Sequence, residues 1–141
     1  MSQQRIEIIK KFTVPVERLF AYLSEHENLA VIFAPAKIKR LSNGQDARNG
    51  VGSAREIQLP LLPPFVETVM AYKENELIEY RITQGSLLKN HHGIMQFYPT
   101  TDNGSRLHYL IVFEGKFPLI AKLVRLGLER GIRRGLNDLN C

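Results

Sequence analysis

Cysteine is nearly missing from this chain: of its 141 residues, only Cys141 carries a thiol. That excludes an intrachain disulfide and any cysteine-based metal cluster, and a reducing, cytoplasmic setting is expected. Long apolar runs are missing too. No stretch approaches the roughly 18 uncharged apolar residues of a membrane-spanning helix, and the opening MSQQRIEI has no apolar segment of the kind a secretory signal needs. The chain shows no internal repeat, low-complexity tract or linker. Catalytic signatures are equally scarce: no Gly-x-Ser-x-Gly elbow and no His-Glu-x-x-His motif occurs. His91 and His92 are neighbours in sequence. On a strand they point to opposite faces, so they do not share one metal ion. Neither a metal nor another cofactor is expected.

What is present fits one domain spanning residues 1–141. Hydrophobic residues make up 44% and charged residues 23%, enough for one sizeable core. A net charge of +5 permits an anionic partner without requiring one. RIEIIKKFTV, residues 5–14, alternates and is β-branched, which predicts a strand. PVERLFAYL follows, with Pro15 suited to the first helical position and Val16, Leu19, Phe20 and Leu23 at helical spacing. Ser24 and Glu27 have the spacing of a capping box, so ENLAVIF reads as a second short helix. Strand-like runs then alternate with turn chemistry: AKIKRLS, VGSAREIQL, FVETVMAYK, LIEYRITQG, HHGIMQFY and RLHYLIVFEGK. Their spacing predicts an antiparallel meander. A long helix over residues 118–139 closes the chain. It carries Gly127, Gly131 and Gly135 on the face of Ile120, Val124 and Leu128, with Lys122, Arg125, Glu129, Arg130 and Arg133 opposite. Glycine within a helix costs about 1 kcal/mol relative to alanine. The stripe therefore implies either close backbone approach or space left for a ligand against Gly127 and Gly131. Seven antiparallel strands with segregated helices make the fold α+β.

This order resembles the helix-grip fold of the START-like (SRPBCC) superfamily. The resemblance is carried by IEIIKKFTVPVERLFAYLSEHENL, GVGSAREI, ELIEYRITQG, NHHGIMQFYP and GSRLHYLIVFE. Within the superfamily it looks like the bacterial polyketide cyclase/dehydrase and lipid-transport-like group. The resemblance implies a curved seven-stranded sheet wrapped around the C-terminal helix, two short helices after the first strand, and a hydrophobic cavity between sheet and helix. Binding of a small lipid-like, polyketide-like or quinone-like molecule is the leading expectation. A cyclase or dehydratase, or an RNA-, ribosome- or protein-interacting module, are the alternatives.

Strand alternation selects the side chains that could meet such a ligand. Ile78, Tyr80 and Ile82 should point inward, as should Leu107, Tyr109, Ile111 and Phe113. His91 should share the inner face with Met95 and Phe97. Ser53, Arg55, Ile57 and Leu59 share one face, and Phe65, Glu67, Val69 and Ala71 another. Arg55 and Glu67 then either form a buried ion pair at the cavity wall or sit solvated at the sheet edge, since a bulge in either strand reverses its faces. Candidate site residues are therefore Arg55, Glu67, Tyr80, His91, Met95, Tyr109, Gly127 and Gly131. QLPLLPPF, residues 58–65, is greasier than a turn requires. It either caps the cavity mouth, meets a partner or membrane, or folds back onto the core. Leu110 and Val112 should face outward, where a second copy of the chain could cover them in a homodimer. The basic face of the last helix (Lys122, Arg125, Arg130, Arg133, Arg134) lacks interleaved aromatics for base stacking, so nucleic acid is not an expected partner.

Overall fold

A computed structural model describes residues 3–85 and 88–139; the lone Cys141 lies outside them. Strand β1 (Gln4–Phe12) leads into helix α1 (Val16–Ser24), a 3-10 turn (His26–Asn28) and helix α2 (Leu29–Ile32). Six strands follow: β2 (Lys37–Ser42), β3 (Ala54–Gln58), β4 (Phe65–Lys73), β5 (Leu77–Gln84), β6 (Leu88–Pro99) and β7 (Ser105–Gly115). Helix α3 (Pro118–Asn137) ends the fold. The seven strands form one antiparallel sheet in the order β1-β7-β6-β5-β4-β3-β2. β1 and β2 are thus the two edges, although only the short helices separate them in sequence. No helix among the described residues is long and apolar enough to cross a membrane.

The inner face of the sheet is the expected one along most of its length. Ile6 and Ile8, Ile78 and Tyr80, Met95 and Phe97, and Leu107, Tyr109, Ile111 and Phe113 are all buried. They pack with Leu19, Phe20 and Leu23 of α1, Leu29 and Ile32 of α2, and Ile132 and Leu136 of α3. On the outer face Leu110 and Val112 are half-buried.

Four expectations are corrected. The ladder between β4 and β5 shifts register between Val69 and Ala71. This bulge reverses the strand, so Tyr72, not Ala71, continues the inner face. Tyr72 stands edge-on to Phe20, with ring centroids 5.5 Å apart. The capping box does not form: no side chain caps the 3-10 turn, and the Ser24 hydroxyl donates back to the Ala21 carbonyl. Glu27 instead accepts from Arg40 at 2.9 and 3.0 Å. Pro15 is the N-cap of α1 rather than its first helical residue. Its carbonyl accepts from the amides of Arg18 and Leu19.

The fourth correction concerns α3. Its inward residues are Ala121, Ile132, Gly135 and Leu136, with Val124 and Leu128 half-buried. Gly127 is exposed, and nothing lies within 4 Å of where its Cβ would be. Gly131 is half-buried, with only the Ala34 carbonyl near, at 3.9 Å. Gly135 is the glycine that lies against a neighbour. A Cβ there would sit 2.6 Å from the Ile32 Cα and 2.9 Å from the Val31 carbonyl oxygen. The stripe therefore does not run down the middle of the buried face but crosses it obliquely, because each step of four residues turns about 40° around the helix. The opposite face is not uniformly polar either. Leu119, Leu123 and Leu126 are exposed along the first half of the helix, and Arg130, Arg133 and Arg134 along the second.

Candidate functional site

Between the sheet and the first half of α3 lies a cavity of about 190 Å³. Ile57, Phe65, Ile82 and Ile111 form its sheet wall, and Val124 and Leu128 its helix wall. Phe33 and Ala36, just after α2, form one side. Leu59, Leu62 and Pro63 of the β3–β4 connection line its mouth together with Ile120. The greasy loop thus reaches the cavity, while its neighbour Leu61 stands fully exposed with φ of 65°. Thirteen of the sixteen lining residues present only hydrocarbon; the polar tips belong to Glu67, Tyr80 and His91.

These three meet because of strand register. Arg55 lies directly opposite Glu67 in the β3–β4 ladder, and both face inward, 3% and 5% exposed. Arg55 Nε donates to Glu67 Oε1 at 2.9 Å, and Nη2 lies 2.8 Å from the same oxygen in an ion pair. The guanidinium also lies over the Tyr80 ring, 4.7 Å from its centroid, a favourable cation–π placement. A buried guanidinium needs such partners, because desolvation costs several kcal/mol when its charge is left unpaired.

Arg55 has one more neighbour, which pattern reading did not reveal. His26, in the 3-10 turn, is completely buried. Its Nε2 lies 3.0 Å from the Ser53 hydroxyl, and its Nδ1 lies 3.5 Å from Arg55 Nη1. The Ser53 hydroxyl donates to the Gly50 carbonyl at 2.6 Å. It must therefore accept from His26, which places the imidazole proton on Nε2 and leaves Nδ1 to accept from Arg55. Burial, reinforced by the Arg55 charge, pushes the His26 pKa down to about 3. His26 is a neutral strut behind the ion pair.

His91 is held in a similar way on the other side. The Ile82 amide donates to its Nδ1 at 3.0 Å, so the neutral ring carries its proton on Nε2. Burial lowers its pKa, with the Glu67 carboxylate opposing. Nε2 lies 3.7 Å from Glu67 Oε2, beyond hydrogen-bond reach. His92 points to the opposite face and bonds Glu79 at 2.7 Å. Among the described residues no three His, Asp, Glu or Cys side chains come together as a metal site.

Tyr80 and Tyr109 bond each other through their hydroxyls. Burial raises both phenols above their ordinary range, which removes them as acids at neutral pH. The Tyr80 ring has room because its ladder partner is Gly93. A Cβ at Gly93 would come within 2.2 Å of the Tyr80 ring. A lone glycine within a strand is a sequence signal for such close approach. Of the expected site residues, then, Glu67, Tyr80 and His91 line the cavity, and Arg55 and Tyr109 stand directly behind them. Met95 is buried in the core, and neither it nor Gly127 nor Gly131 lines the cavity.

A long helix gripped by a seven-stranded antiparallel sheet, with a cavity between them, defines the helix-grip class. The chain belongs to the family described as polyketide cyclase / dehydrase and lipid transport, whose profile matches residues 3–141. It is similar in fold to the Zhui aromatase/cyclase from Streptomyces sp. R1128, with a TM-score of 0.77 and 14% identity, covering 97% of this chain and 93% of that one. A norcoclaurine synthase point mutant from Thalictrum flavum, in complex with a transition-state analogue, gives 0.70 and 14%, covering 97% and 91%. The structure of Ara h 8.0201 gives 0.64 and 18%, covering 97% and 100%. No sequence among curated proteins matches the chain.

Proposed function

We propose that this protein binds one small, largely apolar molecule in the cavity between its sheet and the first half of α3. The observation that carries the reading is the composition of the wall: hydrocarbon on every side, with polar atoms gathered at one inner end. Such a wall favours an apolar body by burial and orients it by a few polar contacts. Leu62 and Ile120, which are exposed and line the cavity, give an apolar ligand a path in that avoids a polar barrier.

A cyclase or dehydratase reading has one observation in its favour, that Glu67, His91 and Tyr80 line the same cavity with Glu67 and His91 3.7 Å apart. The protonation states favour holding over proton transfer. His91 has its Nδ1 already occupied by a backbone donor, and the tyrosines are weaker acids than in water.

Native mass spectrometry of the protein purified from its own host tests the binding reading. A non-covalent adduct is expected on the wild type and should be lost or reduced in Leu128→Trp, which fills the cavity from the helix side. A bare polypeptide mass for the wild type, or the same adduct on both proteins, contradicts it.

A further inference from the structure

The inner end of the cavity contains a donor and an acceptor that do not reach each other. His91 Nε2 carries the one N–H proton of the neutral ring, because the Ile82 amide donates to Nδ1. Glu67 presents Oε2, because Oε1 faces Arg55, accepting from Nε and pairing with Nη2. The two atoms are 3.7 Å apart, on side chains only 6% exposed that both line the cavity. The third polar tip, Tyr80, is engaged with Tyr109. Among the described residues no side-chain nitrogen or oxygen is both fully buried and unpartnered, so these two atoms open onto the cavity. A ligand that covers them must supply partners or leave each unsatisfied at about 1–3 kcal/mol.

We propose that this end recognises a hydroxyl group, the oxygen accepting from His91 Nε2–H and its proton donated to Glu67 Oε2. The inference rests on the cavity being a ligand site and narrows that ligand to an apolar alcohol or phenol. A single oxygen about 2.8 Å from each atom spans the gap. Other groups fit less well. A ketone or ether oxygen accepts from His91 but leaves Glu67 Oε2 without a donor. A carboxylate brings a second negative charge against Glu67. An ammonium satisfies Glu67 but turns its protons toward the His91 N–H.

The test uses the full chain and four two-ring probes that differ at one substituent: naphthalene, 2-methoxynaphthalene, 2-naphthol and 2-naphthoate. Each displaces the fluorescent reporter N-phenyl-1-naphthylamine. 2-Naphthol should bind at least tenfold more tightly than 2-methoxynaphthalene, with 2-naphthoate weakest. In Glu67→Gln the amide offers a donor where the carboxylate accepted, so the preference for naphthol over its methyl ether should fall to about threefold or less. Should that variant fold poorly, the wild type carries a second readout. In protein labelled with ¹⁵N-histidine, 2-naphthol should shift the Nε2 resonance of His91, and naphthalene should not. Equal affinity for naphthol and its ether, with naphthalene bound, overturns the hydroxyl proposal and leaves the apolar cavity standing. Absence of binding by all four probes overturns both.

Discussion

The two halves of α3 face the same sheet and do opposite things. In the second half Ile132 and Leu136 are fully buried, and Gly135 lets the helix backbone close against α2. In the first half Val124 and Leu128 are only half-buried and look into a cavity, while Leu119, Leu123 and Leu126 face outward. The same glycine spacing serves both ends, yet Gly135 meets backbone and Gly127 meets open space. Ala121 against Gly115 of β7 and Gly135 against α2 fasten the helix at its two ends, and the stretch around Val124 and Leu128 spans the hollow between them. Space for a ligand is a consequence of where the helix is fastened, not of missing side chains at the cavity itself.

The largest expected effect comes from the wall of the hollow end. Glu67→Met removes the partner of a buried guanidinium and should lower unfolding free energy by about 3–5 kcal/mol. Replacing both partners with apolar residues should cost much less, and denaturant titration of the single and double variants reads the difference. At the packed end, Gly135→Ala drives a methyl into the backbone of α2 and should cost about 1–3 kcal/mol. If Gly135→Ala is as stable as the wild type, α3 is not anchored there and the contrast fails.

Acid should act on the hollow end through His26. Its folded pKa of about 3 lies below the ordinary value of 6.5, so the unfolded chain binds more protons between those values. The stabilisation is present above pH 6.5 and is lost as pH falls toward 3. Between pH 7 and pH 5 the loss should be about 1–2 kcal/mol. His91, also lowered by burial, acts in the same direction. Chemical denaturation at the two pH values should show this slope, and His26→Gln should flatten it. The smallest effect is Gly127→Ala, which meets nothing and should stabilise the helix by up to about 1 kcal/mol. It should also leave ligand uptake unchanged, whereas a loss of uptake would return Gly127 to the site.

Strand alternation placed most of the wall because its period is two residues and one face must be dry. It brought Tyr80, His91 and Tyr109 to the inner face, but left open whether Arg55 and Glu67 pair inside or sit solvated at the edge, which the β3–β4 register decides. It failed at Ala71 and Tyr72, where a one-residue bulge reverses the faces and leaves no mark in the local residue types. The helix face was harder. Spacing locates an apolar stripe but not which part of it touches protein, and Leu119, Leu123 and Leu126 are apolar residues on the wrong side of the pattern. His26 was hidden for another reason: it sits in a polar stretch, SEHEN, whose neighbours Glu25 and Glu27 form a partly exposed ion-pair cluster with Arg40 and Arg48. Only tertiary contact with Ser53 and Arg55 buries it. Gly93 was legible in principle, as an isolated glycine inside an alternating strand.

The central claim is that the hollow end of α3 takes up one apolar molecule. Titration with N-phenyl-1-naphthylamine tests it directly, comparing wild type with Leu128→Trp at matched thermal stability. A saturable one-site fluorescence increase in the wild type, weakened at least tenfold by the tryptophan, is the predicted result. Equal binding by both proteins, or no saturable binding by the wild type, would contradict it.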